Sequence, residues 1–250
     1  MTNHEMKLGS KTNSVGNLKI STRTYLSRGY LSGACLFARD TWRLENSADS
    51  NHGLSGDKRT QSTHYARASI IFSFSSIEAA INEFFQDIIE KSSTPEAIQE
   101  LCEADIAKLS AWWKGKNTKG QNNRKPTLRK YKAVIEIIGD YKMNQNYSED
   151  QSIDKFRDFN SLRNILIHYT PEYSDRLRIH QKADEIFEKY DIPINSFFIN
   201  TQNPIFPSKC MGHGLSKWCI ETAIEFIDHF YCTLGLSSKL DICRHELKTR

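Results

Sequence analysis

No run of about 18 uncharged apolar residues occurs in this chain, so no segment has the length and polarity of a membrane-spanning helix. The opening residues, Met1 to Ile20, lack the apolar core that a secretory signal needs. Cysteine is sparse: Cys35, Cys102, Cys210, Cys219, Cys232 and Cys243 are scattered, with no C-x2-C pair among them. In a chain long enough to bury its own core this argues against a disulfide framework, and reduced thiols in a cytoplasmic protein are expected. Cys210 and His213 have the spacing of one metal pair, but no second pair accompanies them, and a structural zinc takes four ligands. The phosphate loop G-x4-G-K-S/T is absent, which argues against ATP hydrolysis by this chain. No stretch alternates apolar and polar residues as a half-buried strand does, and no internal repeat is visible.

What the sequence does have is helical periodicity. Residues 1–19 are polar and read as a disordered tail, and residues 20–236 read as one domain. Tyr25, Leu26, Leu31, Ala34, Cys35, Phe37, Ala38 and Trp42 form an apolar stripe over 22–44, although Gly29 and Gly33 weaken it as a helix. Residues 45–61 are rich in Asn, Ser, Asp and Gly and read as a loop. The strongest helix follows, from about His64 to Glu90, apolar on nearly every face and therefore expected at the centre of the fold. Ser75, Glu78, Asn82 and Gln86 recur at helical spacing and make one polar stripe along it. Glu78 then needs a solvated edge or a cationic partner, because a lone buried carboxylate is costly. Further helices are expected over 95–113, 127–141 and 153–169, with short helical pieces at 173–180 and 183–189. Residues 191–213 read as irregular, 214–234 as a closing helix, and 237–250 as a charged C-terminal tail. The fold class is all-α, a helical bundle.

Charge is uneven. The formal net charge is only +4, yet the segment from Ile106 to Ile135 has nine basic residues and no acidic one. Lys114, Lys116, Lys119, Arg124, Lys125, Arg129 and Lys130, centred on a basic loop at 114–126, are candidates for contacting an RNA backbone. Trp112, Trp113 and Tyr131 lie beside them, and cations interleaved with aromatics suit unstacked bases. The same run also suits a solvated insert that keeps the protein soluble.

The most informative segment is Asp154 to Tyr173, which contains Arg163-Asn164-Ile165-Leu166-Ile167-His168. Arginine is a permanent cation that grips phosphate with two donors, and histidine exchanges a proton near neutral pH. The bland alternative is structural: Arg163 as an ion-pair partner for Glu78, and His168 as a cation at a helix C-terminus. Arg163 and His168 are five residues apart, about 140° around an ideal helix, so one straight helix does not place them on one face. The remaining histidines have no comparable neighbours.

The Arg163-Asn164-x3-His168 pattern resembles the Arg-x4-6-His motif of HEPN domains. The helix carrying Glu78-Ala79-Ala80-Ile81-Asn82 resembles their first core helix, and the one around Trp218 to Ala223 their closing helix; the resemblance covers residues 65–234. It implies a HEPN-like helical bundle that pairs as a homodimer, with two Arg/His motifs meeting in one RNA cleft. It further implies a metal-independent endoribonuclease of a toxin–antitoxin or anti-phage defence system, with a cognate antitoxin or defence partner, no membrane and no cofactor. Arg163, His168 and Asn164 would be the catalytic residues, with Glu78 or Asn82 holding Arg163. Other members are inactive binding or assembly modules. A toxin group in the family has a tyrosine two residues after the histidine; here that position is Thr170 and the tyrosine is Tyr169, which argues against regulation by modification there.

Overall fold

The computed structural model describes residues 24–47, 56–90, 101–115, 124–138, 151–169 and 178–250. Seven α-helices account for most of them: α1 (Ser27–Asn46), α2 (Gly56–Ile89), α3 (Glu103–Lys114), α4 (Thr127–Ile138), α5 (Gln151–Ile167), α6 (Arg178–Lys189) and α7 (His213–Thr233). Short helical turns occupy Ser196–Phe198, Ile205–Lys209 and Asp241–Glu246, and no strand is present among the described residues. The all-α class is therefore observed. The tail expected at 1–19 lies outside the described residues.

Helix α2 is the rod on which the rest packs, because its apolar residues face several directions at once. Phe74 stacks on Phe156 of α5, which stacks on Phe226 of α7 at 4.4 Å between centroids. Tyr131 of α4 meets Phe226 and Phe230 edge-on, and Phe230 meets Phe84 of α2, closing an aromatic chain through the core. Edge-to-face and offset contacts of this kind add about 0.5–1.5 kcal/mol each beyond the area they bury. Tyr131 also satisfies its hydroxyl by donating to the Ile77 carbonyl at 2.7 Å.

Helix α1 approaches α2 through small residues. Ala34, Cys35 and Ala38 are fully buried, and Ser69 on α2 donates its hydroxyl to the Ala34 carbonyl. A Cβ at Gly33 would sit 2.9 Å from the Phe72 ring, so the glycine that weakens the helical stripe is what permits this approach. At the start of α7 a Cβ at Gly214 would lie 2.1 Å from the Pro193 carbonyl oxygen, which leaves room for glycine alone.

Several expectations change. Helix α2 begins at Gly56, not near His64; the polar residues 56–60 are exposed, so no apolar stripe announces that first stretch. The piece expected at 183–189 and the end of the piece expected at 173–180 belong to one helix, Arg178–Lys189, while 173–177 lie outside the described residues. The irregular segment 191–213 is not wholly irregular: Asn195 receives the Phe197 amide and donates to the Met211 carbonyl, which folds it into turns. The charged C-terminal tail at 237–250 is instead docked. Leu240 and Cys243 are buried, and Lys239 places its ammonium 2.7 Å from the Asp87 carboxylate.

That ion pair belongs to a buried network. Asp87 is fully buried, and it also accepts from the Tyr25 hydroxyl at 2.8 Å. One turn earlier, Glu83 accepts the backbone amides of Leu26 and Ser27 and the Ser27 hydroxyl, so it caps α1 from outside. Removing one member of a buried pair strands the other charge. Asp87→Ala is expected to destabilise the fold by about 3–5 kcal/mol. Asp87→Ala combined with Lys239→Met should recover much of that loss, as read from urea unfolding midpoints.

A second external cap joins α1 to α7. Glu45 accepts the His213 backbone amide at 2.8 Å. Burial pushes its carboxyl up to about 7, against the lowering effect of hydrogen bonds from the His213 and Ser196 backbones. A carboxyl raised in the folded state holds a proton there that the unfolded chain has released, so its stabilising contribution is full at low pH and is lost as pH rises from about 4.5 to about 7. His213 itself is pushed down by burial. Its effect runs the opposite way and is common to any pair of proteins that differ only at residue 45. Glu45→Gln keeps the acceptor and removes the ionisation. Wild type should therefore lose on the order of 1–3 kcal/mol relative to Glu45→Gln across that pH window, measured as the difference between their unfolding free energies.

Candidate functional site

The Arg/His motif closes α5. Helix α5 is set against the core by Ile153, Phe156, Phe159 and Leu162, which are all buried. This registry brings Arg163 onto α2, where its guanidinium lies 4.8 Å from the centroid of the Phe74 ring. A cation on an aromatic face is attracted by the ring quadrupole, more strongly where water is partly excluded. Phe74 cannot yield easily, because Phe156 and Phe159 pack on it at 5.8 and 5.5 Å. Arg163 Nη1 also donates to Asn164 Oδ1 at 2.9 Å. The guanidinium is thus half-buried and held from two sides, with further N–H donors unused by either contact.

Asn164 has two jobs here. Its side chain orients Arg163, while its backbone carbonyl accepts the His168 amide at 2.8 Å and ends the helix. Its side-chain oxygen is thus turned to Arg163 and not to the imidazole. His168 is exposed at the helix end between Ile167 and Tyr169, which are 43% and 45% exposed, and Tyr169 rests on the Phe206 ring. Among the described residues none hydrogen-bonds the imidazole, Arg163 included.

The two supporting residues do something other than hold Arg163. Asn82 Oδ1 accepts from Lys130 Nζ at 2.8 Å. Glu78 acts electrostatically on Lys130, and no ion pair links Glu78 to Arg163 among the described residues. The reason lies in α4, whose Lys130 reaches α2 first and uses the polar stripe there. Lys130 has no exposed surface, and its ammonium is 5.7 Å from the Trp113 ring. Burial pushes its pKa down and Glu78 opposes the shift. Lys130, expected to contact RNA, is therefore an interior residue.

The other basic candidates divide. Lys114, Arg124 and Arg129 are exposed, and Arg129 is 3.7 Å from Glu136. Lys125 lies over the Trp112 ring at 5.8 Å. Lys116 and Lys119 are outside the described residues. Trp112 and Trp113 stack on Phe85 at 5.2 and 4.4 Å, so one ring face of each is used by the core. Cys210 is buried with its thiol on the Pro207 carbonyl, and His213 Nδ1 faces the Ala38 carbonyl, so the spacing of a metal pair is used for packing. Among the described residues no group of three His, Cys, Asp or Glu side chains is placed to hold a metal ion.

The stripe of Ser75, Glu78 and Asn82 borders an open depression of about 390 Å³ between the start of α1 and the middle of α2, with Tyr30 and Leu26 on its far wall. Two polar clusters were not anticipated from sequence. One is Glu83, Asp87 and Lys239, described above. The other is Asp158 on α5, which burial pushes up but which hydrogen bonds from Lys189 at 2.8 Å, Lys182 and Tyr190 hold below the usual carboxylate range. Each acid interrupts an apolar helical run, and that interruption was the available signal.

Compared with models of known protein families, with curated proteins and with solved structures, the chain matches none. The site must therefore be interpreted from its own chemistry. If RNA follows the basic segment, replacing Lys114 and Lys125 with Gln should lower the slope of log affinity against log salt by roughly 0.7 per residue. Lys130→Met should leave that slope unchanged and alter only stability. Filter binding over a potassium chloride series separates the two.

Proposed function

We propose that this chain is a metal-independent endoribonuclease of the HEPN kind, a component of a toxin or anti-phage defence system. The observation that supports this most is Arg163, fixed over Phe74 by Asn164 and little more than one helical turn from an exposed histidine at the end of α5. RNA carries its own nucleophile. His168 takes the proton from a 2′-hydroxyl, whose oxygen then attacks the adjacent phosphorus. The bond to the 5′-oxygen breaks and that oxygen takes a proton from water, leaving a 2′,3′-cyclic phosphate and a 5′-hydroxyl, and the imidazolium then returns its proton to solvent. Arg163 offers its unused N–H donors to the phosphate oxygens as negative charge builds on them. Because the two groups stand apart in one copy, the working pair is completed by a second copy around a two-fold axis.

A second reading is a binding or assembly module without chemistry. It is favoured by the absence of any group that orients the His168 ring among the described residues, since a general base is normally held in place.

The test compares wild type with His168→Ala and Arg163→Ala on a mixed pool of single-stranded and structured RNA in EDTA, with fragment 3′ ends analysed. Wild type should leave cyclic phosphate ends, and each variant should lose about 10²–10⁴-fold in rate while keeping its helical circular dichroism. Equal cleavage by all three proteins, or none by wild type, would end the nuclease reading.

A further inference from the structure

The end of α5 leaves three successive side chains in solvent: Ile167, His168 and Tyr169. Single exposed apolar groups are ordinary, but Tyr169 is an exposed ring built onto a rigid support. It is 45% exposed, and its hydroxyl makes no hydrogen bond among the described residues. Its one ring partner among them is Phe206, with centroids 5.6 Å apart and planes tilted by 43°. Phe206 itself is buried. The turn that carries it, Ile205–Lys209, is closed by the Cys210 amide, which donates to the Ile205 carbonyl at 2.8 Å. Asn195 ties the same turn down, its amide donating to the Lys209 carbonyl at 2.7 Å. Part of the Tyr169 ring is therefore backed by a fixed neighbour, while nearly half of the residue stays open. Tyrosine offers such a surface at low entropic cost, because only two torsions have to be held.

The neighbours of Tyr169 indicate what the ring receives. His168 precedes it directly, and consecutive Cα atoms across a trans peptide are about 3.8 Å apart, so one nucleotide with its phosphate can reach both side chains. Arg163, held over Phe74, adds a cation with unused donors one helical turn earlier. A flat apolar ring beside an imidazole and a guanidinium matches the parts of a nucleotide, a base joined to sugar and phosphate. We infer that Tyr169 is a base-stacking residue, taking the unpaired base of a single-stranded RNA whose neighbouring phosphate lies at His168. The choice of RNA rests on the function proposed above; the stacking does not require cleavage. Bases inside a duplex are already stacked and cannot be splayed onto a side chain, so the ring selects unpaired strands. Every base has a π-face, so it does so without fixing a sequence. Trp112 and Trp113 are poorer platforms, since each stacks on Phe85 and has a lysine ammonium near its ring.

A short RNA with fluorine in place of every 2′-hydroxyl tests this, because it has no nucleophile and stays intact. A 2-aminopurine placed at each position in turn loses fluorescence where its base stacks. Wild type should bind the single strand, quench the probe at one position or more, and bind the matching duplex more weakly. Tyr169→Ala should weaken single-strand binding roughly ten- to hundredfold and abolish the quenching. Tyr169→Phe keeps the ring and should behave as wild type. All three should share one slope of log affinity against log salt, since no phosphate contact changes. Circular dichroism and melting confirm that each variant is folded.

A Tyr169→Ala protein that binds and quenches like wild type would overturn the proposal. So would a wild type that binds no RNA or prefers duplex, or a Tyr169→Phe as weak as Tyr169→Ala. A Tyr169→Ala protein changed only in oligomeric state would also overturn it, assigning the ring to a protein contact. Cleavage of unmodified RNA is a separate readout. Binding that depends on Tyr169 without cleavage keeps the stacking and removes the nuclease. Cleavage that Tyr169→Ala leaves unchanged keeps the nuclease and removes the stacking.

Discussion

The placing of two carboxylates on the core-facing side of the central helix governs this structure. Asp87 and Glu83 lie one turn apart on α2, Asp87 fully buried and Glu83 half-buried, and a carboxylate removed from water without partners is costly. The protein meets that constraint from two distant places. The start of α1 brings backbone amides and a hydroxyl to Glu83, and Lys239 brings its ammonium to Asp87. Once these are matched, the positions of α1 and of the segment after α7 are no longer free. Burying charge in this way adds little net stability, but it penalises any other arrangement that leaves one charge unpaired.

The same logic separates the polar groups that hold the fold from those free to act. Lys130, Asn82 and Trp113 satisfy one another in the interior. Asp158 is enclosed by Lys182, Lys189 and Tyr190. Glu45 is the cap of α7. Arg163 stands between the two classes: its direction is set by a ring and an amide, yet part of its donor capacity is unused. His168 belongs wholly to the surface. An orienting scaffold for the cation, and none among the described residues for the imidazole, is the asymmetry that a reading based on a second copy has to explain.

Much of the fold was legible because α2, α4, α5 and α7 have apolar periods that their neighbours also require. The polar stripe of Ser75, Glu78 and Asn82 was legible for the same reason. What those residues touch was not. Helical spacing says that Glu78 needs a solvated edge or a cation, but which of these it has, and whether Arg163 or Lys130 comes near it, depends on how α4 and α5 are registered against α2, and that registry comes from packing of Phe74, Phe156 and Tyr131 across long separations. The docking of Lys239 was hidden by composition, since a lysine in a charged stretch reads as solvated until a buried acid is found opposite it. The first turns of α2 escaped notice because a solvated helix start carries no apolar signature.

Asp87 and Lys239 are 152 residues apart in the chain. The central helix thus holds acids whose counter-charge is supplied by a residue beyond α7, where the chain has turned back across it. Closing a loop of that size costs entropy before the contact returns any energy. A bundle of mostly local helices is therefore obliged to complete itself late, and its first half has a built-in reason not to settle as a finished domain without the second.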